Sequence, residues 1–193
     1  IAAYIEKTVS GCPGNYMVFF PSYRMLEDVG AAFEERCGTA FRTRYQKSGM
    51  TEEEREEFLK AFEEKGEQSL IGFCVMGGIF GEGIDLKGER LIGAIIVGTG
   101  LPQVCAEREL LKDYYDNRGQ DGFAYAYRIP GMNKVLQSAG RVIRTREDRG
   151  VILLLDERFC EREYQGMFPR EWTDVEACSL WTVEKALAGF WES

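Results

Sequence analysis

Four continuous apolar runs limit the possible folds of this sequence more than any of its other features. They are YMVFF (16–20), SLIGFCV (69–75), LIGAIIV (91–97) and VILLL (151–155). A run that does not alternate apolar with polar residues is typical of a strand that is covered on both faces of its sheet. The segment TAFRTRYQ (39–46) does alternate and predicts an edge strand. We therefore expect a sheet of about five or more strands.

Helical patterns lie between these runs. Apolar residues recur at helical spacing in segments 22–36, 51–65, 104–117 and 131–144, and the tail (172–191) predicts a helical cover. The acidic residues of 51–65 fit a helix, since Thr51 and Glu54 form a capping-box pattern and early glutamates favour the positive end of the helix dipole. Strands that alternate with helices predict a mostly parallel sheet with right-handed crossovers. We expect an α/β fold with helices flanking a central sheet.

The composition excludes several classes of function. A chain of 193 residues suits one domain, and no run approaches the roughly 20 apolar residues that cross a membrane. The absence of His excludes a His-dependent catalytic triad and a His-bearing zinc site within these residues. The 24 Lys and Arg against 32 Asp and Glu argue against a nucleic-acid site over the whole surface but leave room for a local one.

The cysteines indicate a reducing compartment. Six Cys residues lie at positions 12, 37, 74, 105, 160 and 178, without the C-x-x-C pair or the close spacing that is typical of zinc or iron–sulfur sites. We expect reduced, mostly buried thiols in a cytoplasmic protein. The lack of a leader pattern agrees with this location, and the first residue, Ile1, predicts that the chain is a fragment.

A glycine-rich stretch, GGIFGEGID (77–85), follows the second apolar run. Its glycines, Gly78 among them, allow a ligand to approach backbone N–H groups, and Glu82 and Asp85 can accept hydrogen bonds from a ligand or hold the loop. A plain surface turn explains the glycines equally well. No G-x-x-x-x-G-K-[ST] phosphate loop occurs in the sequence, so the chain has no standard phosphate-binding loop of its own.

A Gln/Arg pattern ends the helix that we predict over 131–144. In that helix Gln137, Gly140, Arg141 and Arg144 lie at i, i+3, i+4 and i+7, on one face. Guanidinium groups bind phosphate oxygens through a planar fork, whereas the other interpretation is an exposed basic helix face. Gly140 weakens a helix, which suggests close packing at that point. We expect this face and the glycine-rich stretch to lie at the same edge of the sheet.

The run VILLLDER (151–158) imitates the strand that holds Mg²⁺ in phosphate-loop ATPases. Because no phosphate loop is present, we interpret Asp156 and Glu157 as a strand end and a helix cap, and we predict no metal site. A self-contained Mg²⁺-dependent ATPase that uses these two carboxylates is the disfavoured alternative.

Three motifs, in order along the chain, resemble those of superfamily-two helicases. QSAGRVIRTREDRGVILLLDERF (137–159) resembles motif six in the form Q-x-x-G-R-x-x-R, GGIFGEGIDLKGERLIGAIIVGTGLP (77–102) resembles motif five, and VFFPSY (18–23) resembles motif four. The trailing DRG and LDERF are similar to the DinG/XPD, or Rad3-related, branch. The resemblance implies a RecA-like three-layer sandwich, with residues 1–193 as the second, C-terminal motor domain of an ATP-dependent DNA helicase.

The resemblance also implies roles for individual residues. The two arginines reach the ATP γ-phosphate across an interdomain cleft, the glutamine helps to position the nucleotide or couples it to motif five, and the acidic pair touches the nucleotide or holds its loop. The residues expected at the nucleotide are Arg141, Arg144, Gln137, Gly140, Glu82 and Asp85. The residues expected at single-stranded DNA are Ser22, Tyr23 and Gly78.

The implied partners are single-stranded DNA and a first motor domain that these residues lack. That domain supplies most of the contacts to ATP and Mg²⁺, so we expect the chain alone to be inactive. In some family members it also carries an iron–sulfur cluster. The family suggests DNA repair and a cytoplasmic location, associated with the nucleoid in a bacterium. The alternative function is a non-catalytic RecA-like module that binds nucleic acid or a partner protein.

Overall fold

Five parallel strands form one sheet in the order β2-β3-β1-β4-β5. The computed structural model describes residues 1–63, 66, 68–80, 91–142 and 148–192. The strands are β1 (Asn15–Phe20), β2 (Arg42–Tyr45), β3 (Leu70–Val75), β4 (Gly93–Val97) and β5 (Val151–Leu155). The helices among these residues are α1 (Ala2–Gly11), α2 (Tyr23–Cys37), α3 (Glu52–Lys60), α4 (Ala106–Asp116), α5 (Ile129–Ala139), α6 (Arg162–Gln165) and α7 (Val183–Glu192). A π-helical segment (Ala124–Arg128) precedes α5, and a 3₁₀ turn (Glu157–Cys160) follows β5.

The predicted α/β class is confirmed, and each predicted strand is present. The alternating segment forms β2 at one edge of the sheet, as its pattern indicates. Helix α1 was not predicted, although Ile5 and Val9, four residues apart, are both buried on its inner face. A window in which Ile5 and Val9 are the two buried apolar residues is too weak a periodic signal to identify a helix without its packing partner.

The sheet separates two apolar layers, and β1 contributes to both. Met17 and Phe19 point into the layer that contains α3 and α5, whereas Val18 and Phe20 point into the layer that contains α1 and α2. Successive side chains of a strand alternate between faces, so a continuous apolar run is what a doubly covered strand requires. The result is the expected three-layer sandwich.

Helix α3 is shorter than the predicted 51–65. It begins after Thr51, whose hydroxyl accepts from the Glu54 N–H at 3.2 Å while the Glu54 carboxylate accepts from the Thr51 N–H at 2.8 Å. The capping box is therefore confirmed. After Lys60 the chain tightens into a turn that places Phe62 in the core, 1% exposed.

Helix α5 runs antiparallel to the strands. Its first turn lies at the carboxyl end of β4, where Gly131 contacts the backbone of Thr99 and Gly100. Its last turn leads to Val142, which contacts Gly150 just before β5 begins. The first turn of α5 therefore lies where the carboxyl ends of the strands meet, which we call the carboxyl edge. Its last turn lies where the amino ends meet, which we call the amino edge.

The cysteines differ from the prediction. Only Cys74, on β3, is buried among the described residues, while Cys105 and Cys160 are exposed. The expectation of mostly buried thiols is wrong because the remaining cysteines lie at helix ends and turns, which face solvent. No helix within the described ranges combines the length and the apolar character that a membrane span needs.

The contact between Gly131 and the β4 loop yields a stability prediction. A Cβ on Gly131 would lie 2.6 Å from the Thr99 carbonyl oxygen and 3.1 Å from the Leu101 nitrogen, both backbone atoms. We expect Gly131→Ala to lower the free energy of unfolding by about 1–3 kcal/mol, measured by urea denaturation. The matched control is Gly189→Ala in α7, where no atom lies within 4 Å and a helical alanine adds roughly 0.5–1 kcal/mol. Equal stability of the two variants would contradict the packing argument.

Candidate nucleotide and nucleic-acid sites

A hydrogen-bonded cluster occupies the carboxyl edge of the sheet. Gln46, at the end of β2, is 3% exposed, and its Oε1 accepts from the Val75 N–H at 2.8 Å. Its Nε2 donates to the Tyr23 hydroxyl at 3.0 Å, and that hydroxyl is 3.5 Å from the Lys47 carbonyl oxygen. Gly78 lies against this amide, since a Cβ there would be 2.8 Å from Gln46 Nε2. Tyr23 and Gly78, two residues that the sequence placed at DNA, are thus joined through Gln46.

Ser22 stands beside this cluster as the N-cap of α2. Its hydroxyl accepts from the Met25 N–H at 3.3 Å, and the residue is exposed. The first turn of a 15-residue helix therefore opens at the carboxyl edge with its backbone N–H groups unpaired within the helix. Such a terminus attracts anions through its N–H groups and its dipole.

A lysine lies at the same edge. The turn after β3 has Gly77 in the left-handed region, with φ of 67°, which only glycine adopts at low cost. The open face of Gly77 is covered by the aliphatic chain of Lys134, 3.5 Å from where a Cβ would stand. The carboxyl edge thus carries a positive side chain, a helix N-terminus and a glycine turn close together.

The arginine motif lies at the other edge. Helix α5 ends at Ala139, and Gly140 closes it with its N–H donating to the Leu136 carbonyl oxygen at 2.9 Å. The predicted helix over 131–144 is therefore present as α5, but it ends at Ala139, so Gly140 and Arg141 do not continue the helical face on which the motif was predicted. Arg141 and Val142 follow in a turn, because Val142 is drawn into the core against Gly150.

The environment of the motif also differs from the prediction. Gln137 and Gly140 are exposed, and Arg141 is half-buried with its Nε atom enclosed. A Cβ on Gly140 would meet only backbone oxygens of Leu136 and Gln137, so the close packing expected there is absent. Gly140 instead ends α5 with a φ of −65° and a ψ of 4°, a conformation that does not need the left-handed freedom of glycine.

The two sites lie at opposite edges of the sheet, contrary to our expectation of one edge. Gly78 follows the carboxyl end of β3, whereas Arg141 precedes β5. The reason is the antiparallel course of α5, which a parallel sheet requires of each crossover helix. Three predicted site residues, Glu82, Asp85 and Arg144, lie outside the described residues.

Sequence reasoning missed Gln46 and Lys134. Gln46 follows the alternating strand directly, and a polar residue at the carboxyl end of a parallel strand is a signal for a site. Lys134 precedes Gln137 by three residues and so shares its side of the helix. Their partnership with Tyr23 and Gly77 depends on strand order, which the sequence does not contain.

Asp156 has a structural role at the end of β5. Its carboxylate accepts from Arg158 Nε at 2.8 Å and Nη2 at 2.7 Å, and it also accepts from the Arg158 N–H at 3.1 Å, capping the 3₁₀ turn. The side-chain hydrogen bond to Arg158 lowers the pKa of Asp156. Both oxygens are engaged, which favours the cap over a metal ligand. No group of three acidic, Cys or His side chains suited to a metal occurs among the described residues.

Comparison with protein families gives one match over most of the chain. Residues 5–175 match the family described as helicase C-terminal domain. A probable ATP-dependent helicase of Methanocaldococcus jannaschii is 27% identical over 171 residues, which cover 80% of this chain and 25% of that protein. The ATP-dependent DNA helicase DinG of Photobacterium profundum is 29% identical over 150 residues, 77% of this chain and 21% of that protein. The chain thus spans a quarter or less of these relatives.

Solved structures agree with the fold. The apo XPD structure superposes with a TM-score of 0.68 at 21% identity, over 86% of this chain and 33% of that one. Domain 2 of the DEAD-box helicase Mss116p, bound to an RNA duplex, has a TM-score of 0.52 at 15% identity, over 86% of this chain and 53% of that one. These likenesses confirm the RecA-like architecture.

The Asp156 pair yields a pH-dependent prediction. Because the folded carboxyl has a pKa below its ordinary value of 3.8, it stabilises the protein above that value, and the contribution is lost as the pH falls through the lowered pKa. We expect Asp156→Asn, which keeps a capping oxygen, to lose about 1–2 kcal/mol at neutral pH and to approach wild type as the pH falls below 3.8 and through the lowered pKa. Urea unfolding across this range measures it. Asp28→Asn, an exposed residue 3.9 Å from Arg24, is the control, and an equal loss there would refute the assignment.

Proposed function

Because the chain belongs to the helicase C-terminal domain family, in its DinG/XPD-type branch, we propose that residues 1–193 form the second motor domain of an ATP-dependent DNA helicase. The observation that carries this proposal is the pair of separate sites on one sheet, with the Tyr23–Gln46–Gly78 cluster at the carboxyl edge and the Arg141 turn at the amino edge. A helicase motor needs one site for the DNA strand and another for the nucleotide, and each edge of the sheet has suitable chemistry for one of these two ligands.

The amino edge is the nucleotide side of this proposal. Arg141, on a turn packed against the sheet, and Arg144 would stabilise the charge that develops on the γ-phosphate. Gln137 and Gly140, exposed at the end of α5, would lie beside the nucleotide. The resemblance adds Glu82 and Asp85 to this side.

The first motor domain would supply what these residues lack. It would provide the phosphate loop, the Mg²⁺ ligands and, where the family has one, the iron–sulfur cluster. ATP would then lie between the two domains, and the arginines would act only when the cleft closes. Closing and opening of such a cleft moves the domains relative to each other along a strand.

The carboxyl edge is the side that would bind single-stranded DNA. The start of α2, where the Met25 N–H is already capped by Ser22, and the Ser22 hydroxyl would supply donors for phosphate oxygens, and Tyr23 offers a hydroxyl and a ring. Gly78, whose own N–H donates to the Val75 carbonyl oxygen, would let the DNA backbone approach this edge closely. Lys134 adds one positive charge. Contacts of this kind read the backbone rather than the bases, which suits a protein that moves along single-stranded DNA of any sequence.

The second candidate is a non-catalytic RecA-like module that binds nucleic acid or a partner protein. It is favoured by the absence of a phosphate loop from the sequence. Activity of the full-length parent distinguishes the two candidates, since only the motor hydrolyses ATP in response to DNA. We expect the isolated chain to hydrolyse no ATP, and hydrolysis by it would revive the self-contained ATPase.

The arginine assignment predicts a large kinetic defect. In the full-length parent we expect Arg141→Ala and Arg144→Ala each to reduce the rate of DNA-stimulated ATP hydrolysis by roughly 10³-fold, because an arginine at the transferring phosphate contributes on this scale. Circular dichroism should show an unchanged fold. Arg55→Ala, on the exposed side of α3 with an ion pair to Glu52, is the matched control and should keep the wild-type rate. Wild-type turnover in Arg144→Ala would disprove the assignment.

The assignment of the carboxyl edge to single-stranded DNA predicts a change in the salt dependence of DNA binding. We expect Lys134→Gln in the full-length parent to weaken binding of single-stranded DNA and to reduce the slope of log K against log salt concentration by about 0.7, one phosphate contact. Fluorescence anisotropy with a labelled oligonucleotide measures both. Lys112→Gln, in α4 and paired with Asp116 at 3.0 Å, is the control. Identical slopes for wild type and Lys134→Gln would remove Lys134 from the site.

A further inference from the structure

Helix α7 lies beyond the residues that match the family model, which end at 175. It packs on α1. A Cβ placed on Gly11 would lie 3.7 Å from Leu187 Cβ, and Lys7 forms an ion pair with Glu184. Both contacts involve the layer on the α1 side of the sheet. Helix α7 is thus fixed to the sandwich independently of the arginine motif.

The end of α7 is joined to the segment before β5 through Arg149. The Arg149 guanidinium carbon lies 4.7 Å from the centre of the Phe190 ring and 5.9 Å from that of Trp191, and Nη2 donates to the Phe190 carbonyl oxygen. A cation near the last carbonyl groups of a helix also interacts favourably with its dipole. We call these three residues the Arg149 clamp.

The clamp is connected to the arginine turn through Gly150 and Val142. A Cβ on Gly150 would lie 2.3 Å from Val142 Cγ1 and 2.7 Å from the Ile92 carbonyl oxygen, so these groups are in close contact. Val142 follows Arg141 directly and is 2% exposed. The described residues on both sides of 143–147 are therefore packed together, and Arg149 ties one side to α7.

Arg149 also reaches the end of α1. Burial raises the pKa of the Cys12 thiol, and the nearby Arg149 cation opposes that increase. The guanidinium therefore stands where the ends of α1 and α7 meet the segment before β5.

We propose that Arg149 is a positioning residue for ATP hydrolysis, which acts through the Arg149 clamp and the Gly150–Val142 contact to fix the turn that carries Arg141, one of the two proposed catalytic arginines. This inference rests on the proposed function of those arginines. It makes α7 a part of the motor: without the clamp, Gly150 and the Val142 side chain packed against it are no longer tied to α7, and Arg141 spends less time in the geometry that the transition state requires.

The experiment compares variants of the full-length parent in DNA-stimulated ATP hydrolysis. We expect Arg149→Ala to lower kcat by about 10- to 100-fold while the KM for ATP stays within about threefold, because misplacing a catalytic group affects the transition state more than substrate binding. Arg149→Lys, which keeps the charge, should recover part of the lost rate. Trp191→Leu, which removes one ring but keeps an apolar side chain, should give a smaller decrease and serves if Arg149→Ala does not fold.

Lys7→Ala is the matched control, since it removes a contact between α7 and α1 without touching the clamp. It should keep the wild-type kcat even where the midpoint of thermal unfolding falls. If Arg141→Ala abolishes hydrolysis while Arg149→Ala and Trp191→Leu retain the wild-type kcat, the positioning role is wrong and the proposed function stands. If Arg141→Ala and Arg144→Ala also retain the wild-type rate, the proposed function itself fails.

Discussion

The parallel arrangement of the strands is the constraint on which the rest of the structure depends. Every connection between two neighbouring parallel strands has to return the chain from the carboxyl edge to the amino edge. Helix α5 makes one of these returns, beginning beside Thr99 and ending shortly before Gly150. The Gly78 turn follows the carboxyl end of β3, and the Arg141 turn follows the end of a crossover helix just before β5, so this topology carries the two candidate sites to opposite edges.

The side chains of the parallel sheet alternate between two apolar layers. Glycines occur at the positions where a neighbouring side chain leaves no room for a Cβ. A Cβ on Gly93 would lie 2.4 Å from the Tyr16 ring of the neighbouring strand, and one on Gly72 would lie 2.8 Å from the Phe62 ring. Large aromatic side chains on β1 and in the turn after α3 thus occupy the room that these glycines leave. Such close packing makes the sheet a rigid base, which suits groups that have to be held within fractions of an ångström.

The sequence predicted the strands and the fold class well, because continuous apolar runs report directly on burial. It failed where an outcome depends on contacts between distant segments. The end of α5 at Ala139 is set by Val142 packing against Gly150, and the role of Gln46 is set by β2 lying beside β3. Neither pairing leaves a periodic trace in the chain. The motif residues could be recognised by resemblance, whereas the edge on which each of them lies required the order of the strands.

The net negative charge of the chain is compatible with a site for single-stranded DNA, because the donors near the site and not the overall charge decide whether phosphate binds there. At the carboxyl edge, the donors are the N–H groups of the first turn of α2, the Ser22 hydroxyl and Lys134. Donors that belong to the backbone do not enter a count of Lys and Arg, so a net charge of −8 gives a poor estimate of local affinity for phosphate.

Helix α5 is the physical link between the two edges in the proposed motor. The side chain of Lys134, at the middle of α5, covers Gly77, and Gly140 and Arg141 stand just after the last turn, with Val135 and Ala139 buried between them. A helix packed along its length moves as a rigid body, since changing its shape would open cavities in a close-packed core. A displacement of the first turn of α5, where Gly131 packs on the backbone of Thr99 and Gly100, would therefore also displace the turn that carries Arg141. Under the proposed function, this helix allows DNA bound at one edge to influence ATP hydrolysis at the other.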